Sequence, residues 1–116
     1  GKSLIPPEVS GLGDILKGAT SALQGIADVA DPAAAVDKAQ EALPQLQETG
    51  SQLASVESLM AKLPGPAKDL VTKVLGEFGP KITDLISKVS AIPGVGDVVK
   101  EPLDKITASL SALSAG

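Results

Sequence analysis

The chain has 116 residues, 43% of them apolar, and carries 10 Lys against 14 acidic residues for a net charge of −4. That length supplies one small domain with one core, built from 15 Leu, 10 Val, 7 Ile and 16 Ala with a single Met and a single Phe. Cys, His, Arg, Trp, Tyr and Asn are all absent, which removes thiolate and imidazole catalysis, N/S zinc sites, haem ligation, bidentate phosphate clamps and aromatic stacking platforms.

With no Arg, no stacking aromatic and an acidic balance, no nucleic-acid partner is expected. No metal and no cofactor are expected either, and the residues that would perform most catalysis are missing, so the chain reads as no enzyme. The longest uncharged stretch, 106 to 116, has 11 residues, against the roughly 20 apolar residues of a membrane-spanning helix. The chain opens on Gly1 instead of Met, which suggests a processed or excised part of a larger chain, with an exported or periplasmic location as the expectation.

Every periodic segment has helical spacing, and none alternates at period two for long enough to form a strand. The expected class is therefore all-α. Residues 1 to 8, ending in Pro6, Pro7 and Glu8, carry no periodicity and read as a flexible arm, followed by a single bundle domain over 9 to 114. A first helix is expected from 9 or 10 to 30, with Leu12, Leu16, Ala19, Leu23, Ile26 and Ala30 inward. Beside them runs a seam of small residues, Gly11, Gly18, Ala22 and Gly25, interspersed with Ile15 and Val29. A glycine inside a helix costs about 1 kcal/mol relative to Ala, so this seam is expected to face a closely approaching helix.

Asp31-Pro32 opens a second helix, because Asp favours the N-cap and Pro the first helical position. Its seam positions, Val36, Ala39, Leu43, Leu46, Gly50, Leu53, then Val56 or Glu57, Met60 and Leu63, keep their phase through Pro44 and Gly50. A loop would lose that phase, so one long helix from 32 to 63, kinked at Pro44, is expected. Leu63-Pro64-Gly65-Pro66 is a turn that divides the chain into two helical hairpins.

The third helix is expected from 66 to 91, with Ala67, Leu70, Val71, Val74, Leu75, Phe78, Ile82, Leu85, Ile86 and Val89 inward. The charged residues Asp69, Lys73, Glu77, Lys81, Asp84 and Lys88 alternate in sign at i+4 or i+3 straight through Gly79-Pro80. Continuous phase on both faces predicts a kink at Pro80 and no break. After the turn Ile92-Pro93-Gly94-Val95-Gly96, a last helix capped by Asp97 runs to 113, kinked at Pro102, with Val98 or Val99, Leu103, Ile106, Leu110 and Leu113 inward. Four helices joined by short turns predict an antiparallel up-down-up-down bundle, with three helices, or five or six if the prolines break, as the alternatives.

Candidate sites are few. Gly1-Lys2-Ser3 matches the end of a phosphate-binding loop but lacks its upstream half. The acid pairs Asp28 with Asp31, Asp37 with Glu41 and Asp97 with Glu101 are close in sequence, yet they fall near helix starts or on polar faces, where solvation and the helix dipole account for them. Residues Gly11-Leu12-Gly13-Asp14-Ile15-Leu16-Lys17-Gly18 resemble the opening of short amphibian host-defence peptides over eight positions. Those peptides are usually cationic and this segment is not, so a core helix is expected. Charge is uneven: residues 1 to 60 hold 3 Lys and 8 acids, and residues 61 to 116 hold 7 Lys and 6 acids. The first hairpin could thus offer an acidic face to a basic partner.

These features point to a non-catalytic helical-bundle domain that serves as an interaction or spacer unit, with protein as the expected partner and the oligomeric state open. The alternative is an amphipathic lipid-surface or granule-coating protein. Pro-punctuated helices, abundant Ala and Gly and a nearly ring-free core resemble those of exchangeable apolipoproteins and phasins, and the resemblance implies helices that open onto lipid. The aromatic anchors that strengthen interfacial binding are missing.

Overall fold

Proline sets where three of the helices begin. In the computed structural model, which describes residues 5–115, Pro7, Pro32 and Pro66 each occupy the first or second helical position, where the missing N–H is not needed. Pro7–Ser10 forms a single turn, α1, that leads through Gly11 into α2, Leu12–Ala27. Gly11 keeps helical torsions (φ −88°, ψ −2°) and donates its N–H to the Pro7 carbonyl, so the path is interrupted without being lost. Pro7 and Glu8, expected in the arm, therefore belong to the first helical turn. Positions 1 to 4, including Gly1-Lys2-Ser3, lie outside the described residues.

The first long helix ends at Ala27, three residues before its apolar phase runs out at Ala30. The cause lies downstream: Pro32 disfavours helical torsions at the residue before it, and Asp31 is extended (φ −90°, ψ 121°). The chain uses 28 to 31 to reverse, leaving Ala30 exposed. Then α3 spans Pro32–Leu59 and closes in a 3-10 turn, Met60–Lys62, before α4, Gly65–Ser90, and α5, Val95–Ala115. Pro44, Pro80 and Pro102 all lie inside continuous helices. Asp97, expected as a cap, sits within the first turn of α5.

The turn into α5 requires glycine twice. Gly94 has φ +84°, and a Cβ built on it would approach Val36 Cγ2 to 3.0 Å. A Cβ on Gly96 would lie 2.7 Å from the Ser90 carbonyl oxygen, a backbone atom that cannot yield cheaply.

Each long helix gives one stripe to a shared core: Leu12, Leu16, Leu23 and Ile26 from α2; Ala39, Leu46, Leu53 and Val56 from α3; Val71, Leu75, Ile82 and Leu85 from α4; Val99, Leu103, Ile106 and Leu110 from α5. Burial of each large aliphatic side chain is worth about 1.5–3 kcal/mol. Thr49 is buried as well, and its hydroxyl donates to the Gln45 carbonyl at 2.9 Å, which makes that burial tolerable.

The result is an all-α four-helix bundle of 51 × 25 × 20 Å in which successive helices reverse direction. Its walls follow the order α2, α3, α5, α4. Gly25 lies beside Lys38 and Gly18 beside Gln45, so α2 and α3 are antiparallel, whereas Gly94 beside Val36 and Gly50 beside Lys105 make α5 run parallel to α3. The Leu63-Pro64 turn thus carries the chain across a diagonal, and α2 and α4 are also parallel neighbours. The start of α1 and the end of α5 lie at the same end of the rod, where α3 gives way to α4.

Candidate binding groove

A groove of about 860 Å³ runs between α4 and α5, within the size range of small-molecule sites. Absent side chains create it. Gly76 and Gly79 have nothing within 4 Å of where a Cβ would stand, and Pro80 follows them on the same wall. Leu75, Leu110 and Leu113 form the floor, and these core side chains keep 4–7% of their surface exposed. Hydroxyls of Thr72, Thr83 and Ser87 on α4 and of Thr107, Ser111 and Ser114 on α5 line the rims. Asp84 is the one ionisable group in the lining, and it pairs with Lys88 at 3.2 Å.

A second concavity, about 350 Å³, lies between α2 and α3 among Asp14, Ile15, Gly18, Gln45, Glu48 and Thr49. It opens because Gly18 has no side chain, and the Gln45 amide partly covers it. A Cβ on Gly18 would meet Gln45 Nε2 at 2.7 Å, and one on Gly25 would meet Lys38 Cε at 3.6 Å.

The small-residue seam is placed accordingly. Gly18, Ala22 and Gly25 are half-buried; Gly18 and Gly25 are covered by the ends of flexible polar side chains of α3. Gly11 is the hinge between α1 and α2, 3.2 Å from the Pro7 carbonyl oxygen by the same construction. Gly50 is buried, and there the Lys105 stem of α5 lies 3.3–3.7 Å from a built Cβ. Its signal in the sequence is the phase of α3, which puts Gly50 on the inward stripe.

Pro44 and Pro80 are exposed, whereas Pro102 is buried. The acid pairs stay apart from both concavities: Asp28, Asp31, Asp37, Glu41, Asp97 and Glu101 are all exposed, and Asp28 accepts a 2.7 Å hydrogen bond from Gln24. Among the described residues, no group of three or more acids is placed to hold a metal ion, and no helix is long and apolar enough to cross a membrane. The charge asymmetry between hairpins is expressed at the surface. The described ion pairs, Asp84 with Lys88 and Lys100 with Asp104, each lie within one helix. Comparison with protein-family models, with curated proteins and with solved structures finds no match to this chain.

Proposed function

We propose that the chain is a non-catalytic interaction domain: a closed four-helix bundle that presents the outer faces of its helices to a protein partner. One observation carries this reading. Among the described residues every Leu, Ile, Val, Met and Phe is buried or half-buried, while every Lys and Asp is exposed. A bundle so arranged has satisfied its apolar stripes internally and offers polar faces, small residues and one hydroxyl-rimmed groove outward.

The lipid-surface alternative requires the bundle to open. That step gives up the burial of the four core stripes, and no Trp or Tyr is present to anchor the opened helices at an interface. Flotation with vesicles distinguishes the two readings. The interaction domain stays at the bottom of the gradient with neutral or anionic vesicles and keeps its helicity. Co-flotation of most of the protein with neutral vesicles would replace this reading with the lipid-surface one.

A further inference from the structure

We propose that α4 pairs with α4 of a second copy of this chain, antiparallel about a two-fold axis near Gly79. The proposal rests on the interaction-domain reading and names its partner. Along α4 the exposed charged residues Asp69, Lys73, Glu77, Lys81, Asp84 and Lys88 alternate in sign. Reversal about a point between Phe78 and Gly79 sets Asp69 opposite Lys88 and Lys73 opposite Asp84, and brings Glu77 to within one residue of Lys81. Every acid then meets a lysine, and no charge meets its like. Antiparallel helices related by a two-fold axis place the same flank of each copy side by side, which is the condition for a stripe to pair with itself.

The charges are available for this. Three acid-first pairs at i+4 exist on α4, and within one chain only Asp84 with Lys88 closes, at 3.2 Å. Asp69, Lys73, Glu77 and Lys81 have no ion-pair partner within 4 Å among the described residues. Asp84 and Lys88 are themselves 65% and 63% exposed, so their pair contributes little and exchanges or extends readily. The facing wall of the groove, with Thr107, Ser111 and Ser114, brings no competing charge.

Shape follows the same symmetry. The reversal that matches the charges sets Pro80 opposite Gly76 to within one residue. Pro80 is an exposed ring, and Gly76 is an exposed position with open space where its Cβ would stand. By symmetry the fit occurs twice, and the small residues at the centre let the two helices approach closely. An interface held mainly by exposed ion pairs is weak and sensitive to salt.

Sedimentation equilibrium at low ionic strength reads the proposal directly. The expected result is a concentration-dependent dimer that weakens roughly tenfold as salt rises from about 0.05 to about 0.5 M. A variant with an all-acidic stripe (Lys73→Glu, Lys81→Glu, Lys88→Glu) and one with an all-basic stripe (Asp69→Lys, Glu77→Lys, Asp84→Lys) each lose self-association by about 100-fold. An equimolar mixture of the two regains it. Far-UV circular dichroism on the same samples shows whether each variant keeps its helices. Independently of the charges, Pro80→Cys crosslinks two otherwise Cys-free chains on oxidation, and Ser21→Cys on exposed α2 does not. A wild type that stays monomeric, a dimer indifferent to both stripes, or a mixture that stays monomeric would overturn the pairing. A monomer that ignores vesicles would remove only the pairing, whereas flotation with neutral vesicles would remove the reading beneath it.

Discussion

At the residue scale, glycines with similar surroundings in the sequence do different work. Gly94 holds φ +84° against Val36, a conformation that costs a residue with a side chain about 1–2 kcal/mol. Gly94→Ala is therefore expected to destabilise the bundle by that amount or more, read from a lowered denaturation midpoint. Gly76 has ordinary helical surroundings and open space around it, so Gly76→Ala should stabilise the isolated chain by up to about 1 kcal/mol. The sequence signals the turn at Pro93-Gly94 but does not separate these cases. Three glycines at heptad spacing in the first helix suggest close approach of another helix, yet Gly18 and Gly25 are covered by Gln45 and Lys38 side chains. A glycine's position on the helix is readable from phase, whereas the identity of the atoms above it depends on which helix packs there and in what register.

At the element scale, the retained phase of apolar residues proved the more informative signal than proline itself. Ala39, Leu46, Gly50 and Leu53 are buried on both sides of Pro44, and Val71, Leu75, Ile82 and Leu85 on both sides of Pro80, because tertiary burial of a long stripe outweighs the lost hydrogen bond of one interior proline, about 3 kcal/mol. Phase fails at the end of α2, where it continues to Ala30 although the helix stops at Ala27. There the need to reverse before Pro32 decides, and periodicity carries no record of it. The three interior prolines should respond differently to replacement. Pro80 is exposed, so Pro80→Ala restores a backbone donor without emptying the core and should stabilise by about 1–2 kcal/mol after the entropy of the freed unfolded chain is counted. Pro102 is buried, and Pro102→Ala removes packed ring atoms as it restores the donor, so its gain should be smaller or negative. Urea unfolding of the two variants side by side checks the ordering.

At the scale of the whole molecule, the four long helices, their directions and the inward stripes follow from the sequence, and the short α1 turn and the order of the helices around the core do not. Short turns such as Leu63-Pro64 force reversal but do not say whether the next helix lies beside the last one or across a diagonal. Here the second connection crosses, and α3 lies along α5. The groove was equally hidden, since Gly76, Gly79 and Pro80 in the sequence mark only a kink, and they become a concavity because α5 lies beside them. The central claim is that these helices close one specific core and need no surface to complete it. Differential scanning calorimetry tests it most directly, with and without anionic vesicles. The expected result is a single transition with an enthalpy of about 80 kcal/mol near 60 °C for a chain of this length, calorimetric and van't Hoff enthalpies that agree, and no change on adding vesicles. A gradual, non-cooperative loss of helicity, or a transition that disappears when vesicles are present, would contradict it.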